Sequence, residues 1–306
     1  MRIVFFGYGE LGAIVLRGIA PHHEVLLVLT HSVEFSDLGE PDVELAAAEL
    51  GLPVRYSATA REPDLHEHLR ELAPEVIVST NWRTRVPPEV LRIPERGAVN
   101  THDALLPAYA GFGAVNWAIR NGEEETGLTV HYMAEDLDTG PVITQARVKI
   151  GVHETAGQVL GRLLTEYVPV TLEALNRVNA GYQGKPQPPE GASFYHRIGV
   201  EDTRIDWRDD ATTICNLVRG QSDPFVNAWT TYRGLRLWIM TAARPTRAHG
   251  GTPGRIVKAD YGGVVVASGG PRDGDDRGVV LLQVRTETGP PVRALDYFAA
   301  FGEYLH

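Results

Sequence analysis

Cysteine is nearly missing from this chain: Cys215 is the only one in 306 residues. That excludes an internal disulfide and a cysteine-built zinc cluster. Lysine is almost as scarce, at Lys149, Lys185 and Lys258, and arginine supplies the rest of the 29 basic residues. Thirty-nine acidic residues outnumber them, for a formal charge of −10. A chain of that sign is repelled by nucleic-acid phosphates and by anionic lipid, which argues against a general binder of either. No apolar run reaches the ~18 residues that a membrane span needs. The sequence starts at once on a strand-like run with no basic leader before it. A soluble cytoplasmic protein with no membrane partner is expected.

What is there is an alternation of short apolar runs and helical periods. RIVFF (2–6), EVLLVLTH (24–31), PVRY (53–56) and EVIVST (75–80) read as strands. ELGAIVLRGIA (10–20), PDVELAAAELGL (41–52) and DLHEHLRELAP (64–74) read as helices. Such alternation predicts a parallel sheet with helices on both faces. Further on come a helix near 113–121, strands at 127–133 and 141–150, and a long helix over roughly 154–179. Residues 180–200 are rich in Pro and Gly and read as a linker. Beyond about 205 a helix at 209–219 leads into short β-like runs separated by turns, with a flexible polar loop over 269–278. The fold class expected is α/β: a Rossmann-like parallel-sheet domain over 1–180, a linker over 181–204, and a smaller β-rich, OB-like domain over 205–306.

GYGELG (7–12) is a literal G-x-G-x-x-G straight after the first strand. A dinucleotide fold would also place an Asp or Glu at the end of the second strand. That strand ends instead in Thr30 and His31. Glycines after a first strand also serve a tight turn and close helix–sheet packing. The motif is therefore read as a strand-to-helix turn, with no nicotinamide bound.

The stretch that carries chemistry is 97–145. A strand there ends in Asn100-Thr101-His102, and residues two apart in a strand face the same way, so Asn100 and His102 share one site. Leu105-Leu106-Pro107 and Gly111 follow, then Trp117-Ala118-Ile119, Gly122-Glu123, Thr126-Gly127, Thr129, His131, Met133, Asp138 and Gly140-Pro141. This run resembles the signature of the folate-dependent formyltransferases, with weaker similarity through RIDW (204–207), NLVRG (216–220) and GLRLWI (234–239).

The resemblance implies that Asn100, His102 and Asp138 are the catalytic residues and that 10-formyltetrahydrofolate is the co-substrate. It implies that Trp82, Arg83, Val86 and Leu137 line the folate pocket, and that no metal is needed. The chemistry suits the residues. An amide N–H such as that of Asn100 can stabilise the oxyanion of acyl transfer. A histidine can take a proton from an attacking amine near neutral pH, and a carboxylate can hold the imidazole. His131 matches a family position outside the trio and is read as structural. Ala104 and Ala110 stand where the family has Ser and Arg.

For the acceptor, charge is the guide. Residues 31–44 hold five acids and no Lys or Arg, and residues 205–306 hold 12 basic against 11 acidic residues. That near-neutral balance argues against tRNA. The expected reaction is N-formylation of a small-molecule amine, either a hydroxyornithine-type siderophore precursor or a nucleotide-linked amino sugar, with no nucleic-acid partner. Methionyl-tRNA formyltransferase, formyltetrahydrofolate hydrolase and a non-catalytic ligand-binding module are the alternatives.

Overall fold

The computed structural model describes residues 1–32, 42–270 and 276–306. The middle of the acid-rich 31–44 stretch and half of the polar loop expected at 269–278 lie outside the described residues. The chain forms two compact units. One comprises residues 1–111, 126–148 and 161–195, the other residues 112–125, 149–160 and 196–306.

The first unit begins β1 (Arg2–Gly7), α1 (Gly9–Ile19), β2 (Glu24–Thr30), α2 (Asp42–Glu49), β3 (Val54–Tyr56), α3 (Pro63–Leu72), β4 (Val76–Thr80), α4 (Pro88–Leu91) and β5 (Ala98–His102). Next in the chain come β6 (Ala110–Gly111), α5 (Ala114–Arg120), β7 (Glu125–Tyr132), β8 (Val142–Lys149), α6 (Ala156–Asn179) and β9 (Phe194–Tyr195). A seven-stranded sheet runs in the order β3-β2-β1-β4-β5-β7-β8. Strands β1 to β5 pair in parallel, as the uninterrupted apolar runs predict. Strand β7 then pairs antiparallel with β5, so the sheet is mixed. Strand order reverses between β1 and β4, the place where open α/β sheets leave a crevice at the carboxyl ends of their strands.

GYGELG is the turn between β1 and α1. Gly9 holds a left-handed backbone (φ 60). A Cβ on Gly12 would come within 2.7 Å of Val43 and 3.2 Å of the backbone at Gly7, so this glycine permits close helix–strand approach.

The segment expected to be a linker is engaged with the first unit. Within it, β9 pairs in parallel with β6, and Gln187 Nε2 donates to the carbonyls of Asp138 and Gly140 at 2.7 and 2.8 Å. Its Pro and Gly content reflects turns rather than slack.

The second unit carries α7 (Ala211–Gly220), β10 (Ala228–Tyr232), β11 (Leu235–Ala243), β12 (Ile256–Asp260), β13 (Gly263–Val266), β14 (Val279–Thr286), β15 (Val292–Arg293) and α8 (Ala294–Tyr297). Asp210 caps α7, its carboxylate accepting from the Thr213 N–H at 2.7 Å. The sheet order is β10-β11-β14-β13-β12 with β15 on β14, antiparallel throughout. The chain's last residues bridge both edges, through Tyr232–Leu305 and Arg255–Tyr304 pairs. This gives the sheet the barrel-like closure expected of an OB-like domain. Its core is built on Trp207, Ile214, Leu237, Ile239, Val264 and Leu281. Among the described residues no helix is long and apolar enough to cross a membrane.

Candidate active site

Strand β5 delivers Asn100 and His102 to the carboxyl end of the sheet. Its antiparallel register with β7 sets His131 directly opposite Asn100. The loop after β7 brings Asp138 back onto both histidines. Asp138 Oδ2 lies 3.6 Å from His102 Nδ1, and its Oδ1 lies 3.5 Å from His131 Nε2. Asn100 Nδ2 is 3.5 Å from the same His131 nitrogen. The three residues implied by the resemblance thus meet in one cluster, with His131 between Asn100 and Asp138. All of it but Asn100, which is half-buried, is buried.

His131, expected to be structural, touches both Asn100 and Asp138. The sequence signals were its match to a family position and its place on a strand beside Thr129; the register that puts it opposite Asn100 is a long-range property.

Asp138 itself has a left-handed backbone (φ 57), tolerated by Asp better than by most residues. Burial alone would push its carboxyl up. The neighbouring His102, the His131 contact and the Gly111 N–H at 3.0 Å outweigh that and hold it at about 2 against an ordinary 3.8. Gly111 is required for its part. Its φ of 97 aims that N–H, and a Cβ there would lie 2.4 Å from the Tyr195 carbonyl oxygen.

His102 is fixed from its other side: Nε2 donates to the Tyr109 carbonyl at 2.8 Å. In the neutral ring the lone pair then resides on Nδ1, the nitrogen that faces Asp138. The buried Ala104, where the family has Ser, offers its carbonyl to Thr129 Oγ1 at 2.5 Å. That hydroxyl also accepts from the Leu106 N–H at 3.1 Å, so Thr129 pins the loop following His102.

A cleft opens beside the cluster. Trp82, Val86 and Leu137 line it as expected, together with Asn100, His131 and Asp138. Arg83 does not line it. Its guanidinium donates to Asn81 Oδ1 at 3.1 Å and lies 5.9 Å from the Tyr8 ring, while Arg85 is the arginine on the cleft wall. Residues 81–86 form a turn rather than a strand, so two-residue alternation does not govern which side chain faces inward.

Trp82 is stacked on His31 at 3.9 Å. Burial lowers the His31 imidazole to about 4, and Arg83 adds to this. His31 is therefore a neutral platform at neutral pH. Two buried polar atoms on the cleft, Ser79 Oγ and Trp82 Nε1, have no hydrogen-bond partner among the described residues.

A mixed sheet whose strand ends gather an Asn, a His and an Asp beside such a cleft, followed by a small antiparallel domain, is the arrangement of the folate-dependent formyltransferases, and the chain belongs to that family. The "Formyl transferase" family matches residues 1–175 and "Formyl transferase, C-terminal domain" matches residues 197–302. Among curated relatives, a methionyl-tRNA formyltransferase of Stenotrophomonas maltophilia is 32% identical over 307 residues, covering 98% of this chain and 97% of that protein. One from Acetivibrio thermocellus is 34% identical over 277 residues, 88% of each chain.

Among solved structures, the sugar 3N-formyl transferase WlaRD, solved with dTDP and 5-N-formyl-THF, aligns with a TM-score of 0.68 at 16% identity. It covers 95% of this chain and 99% of that one. HypX from Aquifex aeolicus, solved with tetrahydrofolic acid, aligns at 0.60 and 21% identity; the match covers 98% of this chain and 47% of HypX. At those identities the likeness is one of fold.

The curated relatives overturn the expected acceptor. A small-molecule amine with no nucleic-acid partner was inferred from net charge, yet proteins matching nearly end to end are methionyl-tRNA formyltransferases. A sum over a domain says nothing about where its cations stand, and phosphate recognition depends on that placement.

Proposed function

We propose that this chain is a methionyl-tRNA formyltransferase, moving the formyl group of 10-formyltetrahydrofolate to the amino nitrogen of methionyl-tRNA. The observation that carries the acceptor is the 32% identity to such an enzyme across 98% of this chain, second unit included. A cytoplasmic location goes with this reading.

The cleft suits the donor. A pterin ring presents amino, carbonyl and ring-nitrogen groups, and Ser79 Oγ and Trp82 Nε1 are buried polar atoms in want of such partners. Trp82, Val86 and Leu137 supply apolar contact to its flat faces. The donor brings the transferable formyl group; the chain's residues supply the rest. Attack by the amine nitrogen on the formyl carbon puts negative charge on the formyl oxygen, and Asn100 Nδ2 is the N–H donor placed to receive it. The bond from formyl carbon to the donor nitrogen breaks. The proton lost by the amine goes to His102 Nδ1, and the departing nitrogen takes up a proton in turn. Asp138, held ionised at about 2, stabilises the imidazolium that His102 becomes.

The test is turnover of purified protein with 10-formyltetrahydrofolate and methionyl-tRNA, read as acid-stable formylmethionine. Formyl-methionine formation supports the reading. Tetrahydrofolate release at the same rate without any acceptor would replace it with a hydrolase.

A further inference from the structure

Two residues of α6 reach the strand end that carries the site. The hydroxyl of Tyr167, fully buried, donates to Asp103 Oδ1. Four residues on, the fully buried Thr171 shares a hydrogen bond of 3.1 Å with Thr101 Oγ1. Residues at i and i+4 lie on one face of a helix. Thr101, inside β5, points away from the side on which Asn100 and His102 lie; Asp103 follows the strand's last residue, and its contact with Tyr167 turns it toward the same helix. His102 is thus left with an anchored neighbour on each side.

The anchors are hydrogen bonds where apolar contact would have served for packing alone. A hydrogen bond is directional and fixes backbone orientation in a way that methyl contacts do not. Tyr167 remains a neutral donor across the working range: burial, reinforced by Asp103, pushes its hydroxyl well up.

We propose that Tyr167 and Thr171 are positioning residues for formyl transfer: by gripping Asp103 and Thr101 they lock the strand end from which Asn100 and His102 reach the reacting atoms. The grip acts at Asp103, directly after the strand end that carries His102. This rests on the transfer reaction proposed above.

The experiment compares Tyr167→Phe, Thr171→Val, Asp103→Ala and Asp103→Asn in the full chain. Asn at 103 keeps an oxygen for the Tyr167 hydroxyl, so it retains the grip; Ala and the Phe variant lose it. Expected is a kcat lower by roughly 10- to 100-fold in Tyr167→Phe and Asp103→Ala, as small misplacements of reacting groups produce. The KM for 10-formyltetrahydrofolate should be unchanged, and Asp103→Asn should stay within about threefold of the parent.

Hydrogen exchange at residues 100–104 is read in parallel and needs no acceptor. It should quicken in Tyr167→Phe and Thr171→Val and not in Asp103→Asn. Lower melting temperature with unchanged kcat, or unchanged exchange at 100–104, overturns the proposal. A parent protein inactive on methionyl-tRNA overturns the function instead, while exchange still decides the grip. Should Tyr167→Phe fail to fold, Thr171→Val and the two Asp103 variants decide it by the same readings.

Discussion

Replacing Asp138 by Asn keeps the side chain's shape and its acceptor oxygen while removing the charge. The carboxyl sits at about 2 instead of 3.8 because two histidines and the Gly111 N–H outweigh its burial. At about 1.4 kcal/mol per pH unit, that difference corresponds to roughly 2 kcal/mol favouring the ionised form in the folded protein. The folded value lies below the unfolded one. The contribution is therefore complete above about pH 4 and is lost as pH falls through about 2. The parent's advantage over Asp138→Asn in urea unfolding should shrink by about 2 kcal/mol between pH 5 and pH 2.

In the proposed mechanism the same charge stabilises the His102 imidazolium when the amine's proton arrives, so kcat should fall by on the order of 10² or more, with folate affinity retained. A pH-independent difference between the two stability curves would refute the assigned cause of the depressed value. Near-full turnover in Asp138→Asn would remove Asp138 from the mechanism.

Asn100→Ala should lower kcat by roughly 10²–10³ through loss of one oxyanion donor, and combining it with His102→Ala should cost less than the product of the two; full multiplicativity would show that they serve separate steps. Ser79→Ala should weaken 10-formyltetrahydrofolate binding by about 1 kcal/mol, or roughly fivefold. Its hydroxyl has no partner to lose among the described residues, so the melting temperature should not fall; unchanged folate affinity in calorimetry would contradict the placement of the donor. Arg236→Glu should raise the KM for methionyl-tRNA and reduce the slope of log affinity against log salt by about 1; an unchanged slope would take that residue out of the tRNA contact.

The choice of Arg236 shows how the charge argument went astray. The second unit's balance is close to neutral, but its cations are not evenly spread. Trp229 pairs with Trp238 and Thr231 with Arg236 on β10 and β11, and Trp238 pairs with Arg285 on β14. Alternation puts these residues on one face, opposite Ala228, Thr230, Leu237 and Ile239; on it Trp229 is buried, while Arg236, Trp238 and Arg285 are half-buried. Arg236 lies 4.4 Å from the Trp229 ring and 5.4 Å from the Trp238 ring. Arginine interleaved with aromatic rings on a sheet face suits a nucleic-acid backbone, and no residue count reveals it.

Other parts were legible because they are local. Continuous apolar runs marked β1, β2 and β4, and an Asn-x-His at a strand end put two groups on one side. What stayed hidden depends on pairing across distance. His131 gained its place from the β5–β7 register, and Arg85 instead of Arg83 faces the cleft because a turn, unlike a strand, has no fixed period.

Hidden too was how the site holds an unfavourable backbone. Asn81, Tyr109 and Asp138 all have positive φ, at 56, 60 and 57. Such conformations cost a non-glycine residue about 1 kcal/mol or more and persist only where the surroundings over-determine them. Each is tied down by a long-range contact. Asn81 Nδ2 donates to the Tyr8 carbonyl at 2.9 Å. The Tyr109 N–H reaches Ser193 Oγ at 2.9 Å, and its carbonyl receives His102. The Asp138 carbonyl receives Gln187 at 2.7 Å. Two of the three restraints, Ser193 and Gln187, come from the Pro- and Gly-rich stretch whose composition reads as a connector. That stretch holds the carboxylate and the histidine in register, so shortening or loosening it would act on turnover before it acted on the stability of either unit.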